Sequence, residues 1–171
     1  MLPLDEGLRL PTASFRAVAK VWRATPQDAA TVAGLLVAFR EWMGRDRPSG
    51  ESLHEGVARL IEDSSTEYLL AAADAGRPPA GVCQLRFRHG LWHEATDCWL
   101  EDLYVSDDAR GAGLGRALVD AAADRARARG CARVELDVSD ANPPALALYE
   151  AAGFATGKDP GTRDLLMRLA L

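Results

Sequence analysis

Cysteine and histidine are scarce in this sequence, three of each among 171 residues. Cys83, Cys98 and Cys131 are odd in number and far apart, which argues against a disulfide framework and leaves no metal-ligand spacing. They read as reduced thiols in a cytoplasmic protein. Only His89 and His93 lie close together, and Gly90 between them marks a loop. Scattered surface histidines are the better reading, and no metal site is expected. No apolar run approaches the roughly 20 residues that span a bilayer, so no membrane partner is expected. The start, MLPLDEGLRLPTASF, has early acids and lacks the apolar core of a secretory signal. Basic residues are not in excess: 20 Lys and Arg face 25 Asp and Glu, a net charge of −5. That argues against a broad nucleic-acid-binding surface and favours cationic substrates.

What is present suits one globular domain, 48% hydrophobic and 26% charged. Residues 1–16 read as an N-terminal extension and 17–171 as the domain. AVAKVW is a short strand. A helix follows over TPQDAATVAGLLVAFREWM, with Thr25 as cap, Pro26 in the first turn and Asp28 at the capping-box position. Its apolar stripe is Val32, Leu35, Leu36 and Phe39. The turn GRDRPSG leads to a second helix, ESLHEGVARLIED, with Leu53, Val57, Leu60 and Ile61 on one face. Strands are expected at EYLLAAA, AGVCQLRFR and CWLEDLYV, with hairpin chemistry in DAGRPP and a loop in HGLWHEATD. A helix then runs to about Arg129 and stops at Gly130. ARVELDV is a strand, ANPPALALYEAAGF a short helix, and the tail a turn and final strand. The expected fold class is α/β (α+β), a mixed and mostly antiparallel central sheet flanked by helices.

The stretch YVSDDARGAGLGRALVDAA joins a strand to a helix through Gly111, Gly113 and Gly115. A dinucleotide fold would need a further glycine at 116 or 118, where Arg116 and Leu118 stand, and a P-loop would need Gly-Lys-Ser/Thr. The remaining anion-binding reading is Arg110-x-x-Gly113-x-Gly115. Its bare amides and the positive helix end would face a diphosphate approached closely by the main chain, flanked by Arg110 and Arg116. The alternative is a tight strand-to-helix connection with no ligand.

These residues resemble the acetyl-CoA motif [RQ]-x-x-G-x-[GA] of the GNAT (Gcn5-related) N-acetyltransferases, present here as RGAGLG. A second signature of that family matches Asn142, Ala145, Leu148-Tyr149 and Gly153-Phe154. The resemblance covers roughly residues 17–171. It implies the GNAT fold, acetyl-CoA as cosubstrate, and direct transfer to an amine in a ternary complex. Carried over residue by residue, it implies cofactor contacts from Leu103, Tyr104, Val105, Arg110, Gly111, Ala112, Gly113, Leu114, Gly115, Arg116 and Asn142. Asn142 can equally cap the helix that begins at Pro143.

A primary amine with a pKa near 10.4 costs about 4–5 kcal/mol to deprotonate at pH 7, so a base is needed. Strand alternation places Glu101, Leu103 and Val105 on one face and Asp102 and Tyr104 on the other. The resemblance implies Glu101 as the base, directly or through water, and a main-chain N–H near Leu103 to Val105 as the donor to the thioester carbonyl. Alternatively Glu101 pairs with a neighbouring arginine. Tyr149 stands where many relatives carry the acid for the leaving thiolate; otherwise it is a core tyrosine. No cysteine is placed to form an acyl-enzyme.

WLEDLYVSDDARGAGLG is most similar to the diamine and polyamine branch, which implies substrate contacts from Trp92, Glu101 and Asp102. Glu94 and Asp97 are further candidates, and AFREWM fits the branch's aromatic segment near the acceptor. There is no tryptophan after Tyr149, a departure from the polyamine enzymes, so another small amine or an amino-acid-like compound is also open. Other readings are a protein or peptide acceptor, or a non-catalytic acyl-CoA sensor. A homodimer is expected from the resemblance.

Overall fold

The computed structural model describes residues 19–157 and 161–169. The expected extension at 1–16 and the first two residues of the expected strand at 17–22 lie outside them. The described residues form β1 (Lys20–Arg23), α1 (Ala29–Trp42), α2 (Gly50–Leu60), β2 (Thr66–Ala72), β3 (Gly81–Gly90), β4 (Ala95–Val105), α3 (Leu114–Ala128), β5 (Cys131–Glu135) and α4 (Pro143–Ala151). No helix among them is long and apolar enough to cross a membrane.

Local chemistry sets the helix starts. The Thr25 amide and hydroxyl both donate to the Asp28 carboxylate, at 2.8 and 2.9 Å, and a short 3-10 turn from Pro26 leads into α1. Ser49 caps α2 by accepting the Ser52 amide at 3.1 Å. In α3, Leu114, Leu118, Ala122 and Ala126 recur every fourth residue and are all buried. Gly130, at φ +69°, ends that run in a conformation that favours glycine.

The sheet order is β1-β2-β3-β4-β5. The first four strands pair antiparallel; β4 and β5 pair parallel, with α3 as the crossover a parallel pair requires. Two apolar layers sandwich the sheet. Cys83, Leu85, Phe87, Cys98 and Leu100 pack under α3. Tyr68, Leu70, Val82 and Tyr104 pack under α1 and α2 with Val32, Leu36 and Val57. The alternation read from β3 is therefore the one observed.

Two segments depart from the sequence reading. HGLWHEATD is mostly strand, because β3 and β4 pair outward as far as Gly90 and Ala95. Asp97 in that segment is buried and accepts from Arg133 at 3.2 Å. The tail is the second: residues 161–169 form neither helix nor strand. Its ties include the bond from Asp164 N–H to Thr156 O at 2.8 Å and an Arg168–Asp137 ion pair at 2.6 Å. Leu165, Leu166, Met167 and Leu169 are all exposed, so the apolar run that suggested a strand has no face to bury.

Glu67, the second residue of β2, is the charged tie between sheet and α3. Its buried carboxylate accepts a fork from Arg125 at 2.8 and 2.7 Å and a bond from Arg129 at 3.0 Å, with Arg23 at 3.8 Å. Burial alone would raise its pKa. The hydrogen bond and charge of Arg125, with Arg129 and Arg23, outweigh burial and hold it below the ordinary carboxylate value. Glu67→Ala should cost about 1.5–3 kcal/mol in denaturant unfolding, the scale of hydrogen bonds to a charged group, since Arg125 and Arg129 are partly exposed and regain water when the carboxylate is removed. Because the folded pKa is depressed, this stabilisation is complete above the unfolded-state value and is lost as pH falls through the folded one, so variant and wild type should converge in acid. A loss below about 1 kcal/mol at neutral pH, the scale of an exposed pair, would contradict this role.

Candidate active site

The parallel pairing of β4 with β5 is short. It runs from Thr96–Cys131 to Trp99–Glu135 and then stops. Among the described residues, β4 has no strand partner on that side from Leu100 onward, while still paired to β3. The strands diverge around a cavity of about 750 Å³. One wall is β4 from Leu100 to Val105, the floor is the turn into α3, and the far wall is residues 137–139 with α4. Exposed main-chain groups along an unpaired strand edge are ready to hydrogen-bond an extended ligand.

The turn at the floor has the predicted backbone. Gly111 and Gly113 lie at φ +77° and +86°, and a Cβ built on either would meet nothing within 4 Å. The glycines therefore serve backbone conformation and open space, not packing against neighbours. Gly115 differs: its Cβ would lie 3.4 Å from Leu148, so it keeps α3 close to α4. The first-turn amides of α3 have no intrahelical acceptor, and the helix dipole adds positive potential there. An anion of diphosphate type fits this cradle.

Arg110 lines the cavity, with its Nε donating to Val105 O at 3.2 Å, a 2.8 Å ion pair to Asp107, and its guanidinium 5.0 Å from the Trp42 ring centroid. Arg116 also lines it, but its guanidinium is held by Asp120 at 2.9 Å and Ala151 O at 3.0 Å. Leu103, Tyr104, Val105, Leu114 and Asn142 line the cavity as well, whereas Ala112 does not. Asn142 caps α4, its Oδ1 accepting the Ala145 amide at 3.3 Å.

Glu101 is placed differently from expectation. The β3 register pairs Gln84 with Asp102 but Leu85 with Leu100, so Glu101 is the extra residue of a β-bulge. The bulge breaks the alternation. Leu100 and then Leu103 and Val105 face the α3 layer, while the Glu101 carboxylate accepts from Gln84 Nε2 at 3.2 Å and stands 4.0 Å from Arg86. Gln84 and Arg86 alternate to the other face, under α1 and α2. Glu101 and Asp102 therefore approach the cavity together from the side of the first two helices, and strict two-residue periodicity could not show it.

Asp102 is the perturbed group. Burial, then the charges of Glu101 and Asp137, push its carboxyl up to about 6. Tyr149, buried on α4, has its ring 5.7 Å from Phe154 in an edge-on contact. Burial first, then nearby Cys83, Asp102 and Asp137, push its phenol up to about 12. It is a firmly protonated donor at neutral pH. Cys83 lies beneath the site, and burial holds its thiol well above the ordinary value, so it is no nucleophile there.

The structure does not bring Trp92 to the cavity. It sits in a 3-10 turn at the β3–β4 hairpin tip, fully exposed, whereas the cavity lies at the opposite end of β4. Glu94 shares that tip, and Asp97 is held by Arg133. Sequence reasoning missed a smaller cavity of about 260 Å³ between α1, α2 and the sheet, with Gln84, Tyr68 and Asp102 on its sheet wall. Gln84, a buried amide in an apolar strand, was the one signal of it. Phe39, Met43 and Asp102 line both cavities and form the partition between them.

The model of the acetyltransferase (GNAT) family matches residues 36–154, which hold the bulged strand, the glycine turn and α4. This chain belongs to the GNAT acetyltransferase family. It is similar to a mycothiol acetyltransferase of Beutenbergia cavernae (48% identity, 63% of this chain and 46% of that protein). It is also similar to a streptothricin acetyltransferase of Streptomyces lavendulae (45% identity, 71% and 57%). The chain thus spans about half the length of these curated relatives. A crystal structure of an acetyltransferase-family protein from Arthrobacter sp. FB24 superposes with a TM-score of 0.79 at 34% identity, over 91% of this chain and 97% of that one. The GNAT fold expected from the sequence is the fold observed.

The electrostatics of this GNAT site can be checked without any ligand. The Asp102 side-chain carbon should titrate near 6 by NMR, and Glu101→Gln should lower that value by removing a neighbouring charge. Titration at the ordinary value near 3.9 would contradict the burial described here.

Proposed function

We propose that this protein transfers the acetyl group of acetyl-CoA to a primary amine of a small molecule, by direct attack in a ternary complex. The observation that carries the reading is the single cavity joining the anion cradle, the unpaired β4 edge, two carboxylates and Tyr149. Acetyl-CoA supplies an activated thioester. The residues present fit it: the turn at Gly111–Gly115 suits its diphosphate, and the β4 edge suits its amide-bearing arm.

Four tasks then fall to the chain. Glu101 and Asp102 attract the ammonium and take its proton, directly or through water, so that nitrogen can bond to the acyl carbon. A main-chain N–H of the Leu103–Val105 segment donates to the carbonyl oxygen as negative charge builds. Tyr149 donates to the sulfur as the C–S bond breaks. A full proton transfer from a phenol near 12 to a thiolate near 8.5 is uphill by about 5 kcal/mol, so its hydrogen bond carries most of the effect. The nitrogen's second proton, acidic once the N–C bond has formed, passes to the departing sulfur and gives the free thiol, and the carboxylates pass the first to solvent, which resets the site. Asp102, pushed up to about 6, is better matched to accept a proton near neutrality than an unperturbed carboxylate.

Of the diamine-like acceptor expected from the Glu101–Asp102 strand, the two carboxylates at the reacting end support the primary amine and not a second cation. Trp92, the other part of that expectation, is too remote to contribute. The mycothiol and streptothricin acetyltransferases to which the chain is similar also favour a small acceptor over a peptide.

Acetyl-CoA mixed with a panel of short primary amines should release free thiol in step with amine consumption. Tyr149→Phe should slow this by about a hundredfold, the scale of one lost donor, with acetyl-CoA affinity nearly unchanged. Unchanged turnover in the variant removes Tyr149 from the reaction. Tight acetyl-CoA binding with no thiol release for any amine favours a sensor over an enzyme.

A further inference from the structure

The smaller cavity carries charge that the acetyl-transfer reading does not use. Its sheet wall presents Asp102, Gln84 and Tyr68, and Asp102 also reaches the larger cavity. Its opposite side presents Arg40, Arg45 and Arg47, from the end of α1 and the turn before α2. Among the described residues, Asp102 is the only acidic one in the lining, against these three guanidinium groups.

The arginines are presented from an anchored turn. Arg40 Nη1 donates to Pro48 O at 2.8 Å, the Arg45 amide donates to Arg40 O at 3.1 Å, and Ser49 caps α2. Arg40 is also paired with Glu41 at 3.1 Å, yet its buried Nε has no hydrogen-bond partner. Among the described residues, the Arg45 and Arg47 side chains have neither an ion-pair nor a hydrogen-bond partner. Asp46, between them in sequence, is exposed and outside the lining. The unmade Arg40 donor is buried, and Arg45 and Arg47 stand exposed at the cavity rim with no carboxylate paired to them, so an anion seated there would meet all three.

We infer that this cavity is the far end of the acceptor site, and that it selects an amine carrying a carboxylate at its other end over one carrying a second cation. This deepens the function proposed above and rests on it. Asp102 at the partition, with Glu101 beyond it, draws the ammonium toward the β4 edge, and the guanidinium groups at the outer wall draw a carboxylate the other way. A diamine or polyamine would place its second cation against three arginines. Leu53, Val57 and Leu60 supply an apolar side for the chain between the two charges.

The test uses matched acceptors that differ only at the far end. With coenzyme A present, binding of 6-aminohexanoate, hexylamine and 1,6-diaminohexane is measured by titration calorimetry, and the four-carbon series is run alongside. The carboxylate-ended members should bind about tenfold or more tightly than the diamines, from two or three charge contacts that reverse sign. The double substitution Arg45→Ala, Arg47→Ala should bring the members of each series to within about threefold of one another while coenzyme A affinity stays the same. Diamines that bind as tightly as the amino acids, or a preference that survives both substitutions, would overturn the inference. Thiol release from acetyl-CoA is followed separately. If the binding order holds but no acceptor is acetylated, the selectivity stands and the transfer reading fails.

Discussion

The parting of β4 from β5 is the constraint on which this site depends. Four paired positions tie the two strands, and after Trp99 and Glu135 they separate. Had the ladder continued, the edge from Leu100 to Val105 would be occupied by β5 and no extended ligand could lie along it. The short ladder is tolerable because α3 packs across both strands, and because the layer of Leu85, Cys98 and Leu100 is shared with it. The same parting brings the start of α3, with its bare amides, to the bottom of the opening, and α4, with Tyr149, to its side.

The bulge at Glu101 is the second device. One extra residue re-aims a carboxylate from the α3 face to the helix-pair face and sets it beside Asp102. Two adjacent acids on one side of a half-buried strand disfavour joint ionisation, which contributes to the raised Asp102 value. The larger cavity meets the smaller one at Asp102. Chemistry and acceptor selection thus share Asp102, with Phe39 and Met43 completing the partition.

Much of this was legible in the residues. The alternation of Cys83, Leu85 and Phe87, the fourfold row of α3 and the Thr25–Asp28 start follow from local periodicity and capping. The glycine turn follows from backbone freedom that only glycine supplies at two of its positions. What was hidden depended on pairing across sequence. The bulge arises from the β3 register, which no single strand encodes. The burial of Asp97 comes from Arg133 in β5. The turn GRDRPSG reads as a polar linker until α1 and α2 fold over Gln84 and turn its arginines toward a cavity. Trp92 was misplaced because the β3–β4 hairpin runs further from the site than a loop would.

The claim that most needs testing is where the ligand lies. A crystal structure of the complex with coenzyme A decides it. The diphosphate should lie against the main-chain amides between Gly111 and Arg116, with the arm running beside Leu103 to Val105 toward Tyr149. A coenzyme lodged elsewhere, or one that leaves the β4 edge and the glycine turn untouched, would contradict it.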